Sequence, residues 1–298
     1  MQSNSISIII IGFNTKKYLN NLLQSIKQIK KDASYKINEV IYIDDGSSDN
    51  SLFLFKDFDL GFEKKYFGFE KNMGRVFATK KGVEIATGDW LLLLQSNMLV
   101  DSSLVLEYCK AIKNRSVVAV GGKIIYYSKD RAFEKYLNNQ SRGINQYKQY
   151  STIKYQNLLF GNCLIQKKIF KKIKLNTDLK YYGGEELDFS YRLNQEYNQK
   201  IIACTSSIVY RVDHPTLLKH IERLEEFGKY NFLLLNSDLK NTIVKNKFFI
   251  LDNALIKVVI LAVKIFSTYL YRMGIRNSMI IKLLLLLSLL KGYHQRAR

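Results

Sequence analysis

Ser7-Ile8-Ile9-Ile10-Ile11-Gly12-Phe13-Asn14 and, further on, Glu39-Val40-Ile41-Tyr42-Ile43-Asp44-Asp45-Gly46-Ser47-Ser48-Asp49 are the stretches whose reading decides the fold. The first is rich in β-branched apolar residues and stops at a turn, as a buried strand does. Tyr18, Leu19, Leu22, Leu23, Ile26 and Ile29 then recur at helical spacing. The second stretch is another strand, ending in an acidic turn. A helical pattern over 75–86 leads through Gly88-Asp89 into a further apolar strand over 90–94. Strand and helix alternating across short turns predict an α/β fold, a mostly parallel sheet flanked by helices. Such sheets bind ligands beyond the carboxyl ends of their strands. Residues 12–14, 44–49 and 95–97 are therefore the places to look.

The acidic turn carries the first chemical signal. Asp44 and Asp45 can accept hydrogen bonds from a base N–H or a ribose hydroxyl, and Gly46 permits a tight turn. The same turn also reads as a helix cap, because Ser47, Ser48 and Asp49 are all good N-caps. On this turn alone both readings stand. Gly12-Phe13-Asn14 lacks the G-x-G-x-x-G pattern, which excludes a dinucleotide fingerprint.

Taken in order, these motifs resemble the family 2 glycosyltransferases of the GT-A fold, a Rossmann-like sheet flanked by helices. The matching blocks continue with Asn72-Met73-Gly74-Arg75, Ala78, Gly82 and Ala86-Thr87-Gly88-Asp89-Trp90. Phe160-Gly161-Asn162-Cys163 is similar to the family's loop near the acceptor. Tyr182-Gly183-Gly184-Glu185-Glu186-Leu187-Asp188-Phe189 with Arg192 is similar to its acidic catalytic motif, of the galactosyltransferase-type Gly-Glu-Asp-x-Asp form. The resemblance implies a nucleotide-sugar donor (UDP-, dTDP- or GDP-linked) held by Phe13, Asn14, Asp44, Asp45, Asn72, Arg75, Gln95 and Asn97. It implies Glu186 as general base, with Glu185 and Asp188 orienting acceptor and base. The implied reaction is an inverting hexosyl transfer to a glycan or lipid-linked acceptor, in cell-surface polysaccharide or lipopolysaccharide biosynthesis.

The carboxylate cluster also makes sense on its own terms. A sugar transfer that inverts configuration needs a base within reach of the attacking hydroxyl, and crowded carboxylates raise one another's pKa. By spacing alone Glu185, Glu186 and Asp188 equally suit a charged first helical turn.

Gln95-Ser96-Asn97 stands where the resemblance implies an Asp-x-Asp that coordinates a divalent cation on the donor diphosphate. Magnesium and manganese prefer anionic oxygen ligands, so this degenerate version leaves only Asn97, with His214 as a candidate second ligand. Arg75, Lys80 and Lys81 are the alternative source of positive charge for the leaving group. The same departure motivates a second reading, a catalytically silent nucleotide-sugar-binding or scaffolding protein.

Composition bounds the partners. A formal charge of +20 favours an anionic one: nucleic acid, an acidic membrane or a phosphorylated substrate. Nucleic acid is the least favoured, because no recognition module is visible. Cys109, Cys163 and Cys204 have neither pairing nor zinc spacing and read as buried, reduced thiols. The opening apolar run lacks a basic leader and reads as a strand, not a secretory signal. From Lys240 to Arg298 Asp252 is the one acid against eleven lysines and arginines, around two apolar stretches, 254–270 and 279–290. Neither offers 20 clean apolar residues, so the stretch reads as basic amphipathic helices lying on a membrane surface, with a helical pair packed on the domain or on a second subunit as the alternative. The expected organisation is a GT-A domain over 1–235, with a donor half 1–100 and an acceptor half 101–235. A membrane-associating helical extension follows over 236–298, and the protein is expected at the cytoplasmic face of the membrane.

Overall fold

The computed structural model describes residues 4–245, 251 and 253–295. Residues 246–250, Asp252 and 296–298, which contribute charges to the expected tail, lie outside the described residues. In chain order the elements begin β1 (Asn4–Gly12), α1 (Lys16–Lys27), β2 (Tyr35–Asp44), α2 (Ser51–Asp57), β3 (Lys64–Gly68) and α3 (Arg75–Ile85). Next come β4 (Trp90–Gln95), β5 (Met98–Val100), α4 (Leu104–Ile112), β6 (Ala119–Ser128) and α5 (Arg131–Leu137). Then follow β7 (Asn162–Gln166), α6 (Ile169–Lys172), α7 (Glu185–Glu196), β8 (Ile201–His214) and α8 (Leu217–Lys229). The last are α9 (Asn231–Leu234), α10 (Ser237–Ile243), α11 (Ala254–Arg272) and α12 (Ser278–His294).

The strands form one sheet in the order β3-β2-β1-β4-β7-β6-β8-β5. Its first four strands run parallel, and β7 pairs antiparallel with both β4 and β6. The chain divides into two compact units: 1–127, 140–175 and 189–213 in the first, and 128–139, 176–188 and 214–298 in the second.

In the first unit β1 explains its own sequence. Ile6, Ile8 and Ile10 pack with Leu19, Leu22 and Leu23 of α1, and with Tyr42 and Phe55, on one face. Ile9 packs with Ala78 of α3 and Ile41 on the other. Both faces are covered, so Ile8-Ile9-Ile10-Ile11 runs unbroken through the strand instead of alternating with polar residues. Each such isoleucine contributes about 1.5–3 kcal/mol of burial.

At the amino end of the sheet the buried carboxylate of Glu39 accepts from the hydroxyls of Ser7 and Thr87, and from the Thr87 amide at 2.9 Å. Lys65 approaches it to 3.4 Å. Burial pushes this carboxyl up, but those four partners together outweigh burial and hold it below the usual glutamate value.

Beyond residue 100 the sequence carries no clear local pattern, yet β6–β8 and α4 are regular there. The reason is long-range pairing. Leu92 of β4 faces Leu164 of β7, a register that local periodicity does not announce. Between α5 and β7 lie two short 3-10 turns, Gly143–Gln146 and Tyr155–Asn157. All three cysteines are buried and free, and burial pushes the Cys109 thiol up to about 12.

In the second unit α8 and α12 pack backbone to backbone. A Cβ at Gly228 would overlap the carbonyl of Leu289, and one at Gly292 would overlap that of Glu225. Phe133, Leu217, Ile221, Tyr271, Ile281 and Leu284 form the unit's core. Asp130 caps α5 by accepting from the Phe133 amide, and it also accepts from the Leu217 amide at 3.1 Å.

Candidate functional site

In the first unit three loops at the carboxyl ends of the parallel strands are laced into one rim. Asn14, in the left-handed region at φ 50°, donates its N–H to Ser47 Oγ at 2.8 Å. Its side-chain oxygen accepts from the Ser48 amide at 2.9 Å. The Asp49 carboxylate accepts from the Lys16 amide at 2.8 Å, and the Thr15 amide donates to Ser51 Oγ at 3.1 Å. Asp44 closes its own turn by accepting from the amide and hydroxyl of Ser47. Asn50 is the N-cap of α2 and makes no side-chain cap bond; Asp49 accepts from the Ser51 amide at 3.1 Å at the start of that helix, while Ser47 and Ser48 bind Asn14 across the rim.

Asp45 reaches the third loop. Its two carboxylate oxygens accept from the amides of Met73 at 2.8 Å and Gly74 at 3.0 Å, at the start of α3. Burial is the main influence on this carboxyl and raises it above the ordinary aspartate value; the two amides act against the rise, and Asp44 adds to it. Gly46, at φ +77°, lets this loop lie directly on the turn, since a Cβ there would overlap the backbone of Lys71 and Asn72. Asn72 is exposed, Arg75 half-buried, and Phe13 exposed at the end of β1.

Gln95-Ser96-Asn97 follows β4 in the same unit. The buried Ser96 donates its N–H to the Ile11 carbonyl at 3.1 Å, and the Asn97 carbonyl accepts from Val212 at 3.1 Å. Gln95 and Asn97 keep half-buried side chains. Two neutral amides and a hydroxyl provide no anionic oxygen, so this donor set does not fit a tightly held hard cation. His214 belongs to the second unit, where its ring lies 5.6 Å from those of Phe133 and His220. Among the described residues no group of three or more His, Cys, Asp or Glu side chains is arranged to hold a metal ion.

Glu185, Glu186 and Asp188 form the first turn of α7 and belong to the second unit; Glu185 and Asp188 are buried and Glu186 is half-buried. The loop before them is held by Asn231. This fully buried side chain accepts from the Tyr181 amide at 3.3 Å and donates to the carbonyls of Tyr181 at 2.7 Å and Gly183 at 2.8 Å. Tyr181 stacks on Tyr230 with ring centroids 4.0 Å apart.

Sequence reasoning missed Asn231, and it missed a second fastening in the first unit. Asp213, left-handed at φ 55°, accepts from the Tyr18 hydroxyl and lies 3.4 Å from Lys17 Nζ, tying β8 to α1. That hydrogen bond is the main reason the Tyr18 phenol is raised. No local signal marks either fastening. Asn162, matched to an acceptor loop by resemblance, is a buried cross-link: it accepts from the Tyr108 hydroxyl at 2.7 Å and donates to the carbonyls of Lys123 and Ser207.

The profile of the family described as "Glycosyl transferase family 2" matches residues 7–174, which contains the rim but ends before the α7 carboxylates. An uncharacterized glycosyltransferase of Bacillus subtilis (strain 168), YfnE, is 26% identical over 251 residues, covering 84% of this chain and 52% of that one. A poly-beta-1,6-N-acetyl-D-glucosamine synthase of Staphylococcus epidermidis is 27% identical over 100 residues, 34% of this chain and 23% of that one. The chain thus spans about half of YfnE and about a quarter of the synthase. Among solved structures, S. aureus TarS 1–349 in complex with UDP superposes with a TM-score of 0.57 at 15% identity, over 97% of this chain and 89% of that one. Its complex with UDP-GlcNAc gives 0.56 at 13% over the same shares. The fold is therefore the GT-A arrangement expected from the sequence.

Proposed function

The chain belongs to glycosyl transferase family 2, and on that premise we propose that it moves a hexosyl group from a nucleotide-sugar donor to a glycan or lipid-linked acceptor with inversion. The observation that carries the reading is the laced rim around Asp44 and Asp45, at the carboxyl edge of a parallel sheet and inside the matched segment. The UDP and UDP-GlcNAc complexes of TarS favour a UDP-sugar over dTDP- and GDP-sugars as the first donor to try. In this reading Phe13, Asn14, Asp44, Asp45, Asn72, Arg75, Gln95 and Asn97 line the donor site.

The acceptor hydroxyl attacks the anomeric carbon from the side opposite the diphosphate. The new C–O bond forms as the bond to the diphosphate breaks, and the nucleoside diphosphate leaves. The Glu186 carboxylate takes the hydroxyl proton, while Glu185 and Asp188 orient it. Cationic side chains near the rim, Arg75 foremost, offset the charge on the leaving group. No step runs through a protein-held metal ion. The likeness to the poly-N-acetylglucosamine synthase supports a role in surface polysaccharide assembly, and the basic C-terminal helices support work at the cytoplasmic face of a membrane.

The test is a thermal-shift titration with UDP-, dTDP- and GDP-sugars, in Mn²⁺, Mg²⁺ or EDTA. A true donor stabilises the folded chain by mass action without any acceptor. Stabilisation by one donor that persists in EDTA is the expected result. Glu186→Gln should then abolish transfer while leaving that stabilisation intact. Stabilisation without turnover in the parent chain would favour the silent reading suggested by Gln95-Ser96-Asn97, and no response to any donor would remove the transferase reading.

A further inference from the structure

Among the described residues α11 is the one helix long and apolar enough to cross a membrane by length and composition. Its surroundings in the second unit say how it is used. On one side Ile256, Ile260, Ser267 and Tyr271 are buried. Lys264, near the helix middle, pairs with Glu225 of α8 at 2.8 Å. The Tyr271 hydroxyl donates to the Asp130 carboxylate, its oxygens 2.8 and 2.7 Å away. On the other side Leu255, Val258, Ile265, Phe266 and Tyr269 are each more than half exposed. At about 100° per residue these five lie on one broad arc, which carries no charge before Arg272. An uncovered apolar strip of this size marks an interaction surface.

Charge identifies the partner. From residue 253 to 295 the chain has no acidic residue and six lysines and arginines, Lys257, Lys264, Arg272, Arg276, Lys282 and Lys291. Lys264 and Lys291 share Glu225, the latter at 2.6 Å. Lys257, Lys291 and His294 line a cavity of about 140 Å³ with Ile260 and Leu261, beside the apolar arc. A cationic cleft at the edge of an apolar face matches a lipid, phosphate in the cleft and chains along the face.

We propose that α11 lies in the plane of an anionic bilayer, half immersed, with a phospholipid phosphate seated between Lys257, Lys291 and His294. A spanning pose would carry the Lys264–Glu225 and Tyr271–Asp130 pairs into hydrocarbon or break them, at a cost that lying flat avoids. The proposal deepens the membrane part of the reading above. Its test needs neither donor nor transfer, so the two readings fail separately.

The test is flotation of the full chain with vesicles of phosphatidylcholine alone and with vesicles made half of phosphatidylglycerol. The chain should float with the anionic vesicles, much less with the neutral ones, and be released by high salt. Lys257→Gln should weaken anionic binding about fivefold and leave neutral binding unchanged. A double variant, Ile265→Asp with Phe266→Asp, should lose flotation while keeping the parent melting curve, because both side chains are exposed. Three results would overturn the proposal. One is no flotation with anionic vesicles. Another is binding that resists both high salt and alkaline wash, as a spanning helix would. The third is a concentration-dependent dimer, dissolved by the double variant, in a chain that ignores vesicles; a second copy would then cover the face.

Discussion

Gly74 donates its backbone N–H to the carboxylate of Asp45 at 3.0 Å, so the acid at the end of β2 holds the start of α3 in place. The same carboxylate takes the neighbouring Met73 amide through its other oxygen. Asp45 thus shapes the rim whatever else it binds, and its removal has two separable effects. Asp45→Ala should cost about 1–3 kcal/mol of stability by orphaning two amides and should weaken donor binding. Asp45→Asn, which keeps one acceptor oxygen, should lose less of both. Chemical denaturation and calorimetric donor titration measure the two effects independently; full stability in the alanine variant would show that the loop does not need this acid.

Gly46→Ala probes the same seat from below. The substitution meets a positive φ and the backbone of Lys71 and Asn72 together. The expected cost is about 1–3 kcal/mol, accompanied by weaker donor binding as the 71–74 loop lifts. Thermal melts with and without nucleotide would measure both, and an unchanged variant would mean that the loop relaxes freely.

Glu39 gives a pH signature. Its folded pKa lies below the ordinary glutamate value, so it contributes stability that is present above that value, about 4.5, and lost as pH falls through the folded one. Denaturant melts at several pH values should therefore show an acid limb in the parent chain that is shallower in Glu39→Gln. At neutral pH the variant should be less stable by about 1–3 kcal/mol, because a charge-assisted network becomes a neutral one. An identical acid limb in both chains would take Glu39 out of it.

Asn231→Ala tests whether a distant amide positions the proposed base. Its bonds to Tyr181 and Gly183 hold the loop that leads into Glu185 and Glu186. If transfer proceeds as proposed, kcat should fall about tenfold or more from misplacement alone, while donor affinity in the first unit is unchanged. Asn231→Asp, which keeps only the acceptor, should not restore it. Equal losses in kcat and donor affinity would point to general unfolding instead.

Much of the first unit is legible along the chain. The β-branched run of β1, the helical spacing of α1 and the glycine and acid turns are local, and each predicts its element, although β2 starts at Tyr35, four residues before the run that announces it. The part beyond residue 100 is not legible in this way, because β7 earns its place by pairing with β4 and β6 from far along the chain. The site divides likewise. Asp44, Asp45 and Asn14 stand out by position, whereas Tyr18, Asp213 and Asn231 carry no pattern and matter only through what they touch.

The sequence by itself determined the α/β alternation, the carboxyl edge where a ligand belongs and the basic, apolar character of the last helices. These follow from side-chain chemistry at short spacing, where turns, branching and periodicity act. Tertiary structure alone decided that both oxygens of Asp45 meet the amides before α3, and that Lys264 meets Glu225 so that α11 lies along its unit with one apolar face uncovered. Hydrogen bonds and ion pairs between residues far apart depend on how whole elements pack, and no short window of sequence contains both partners.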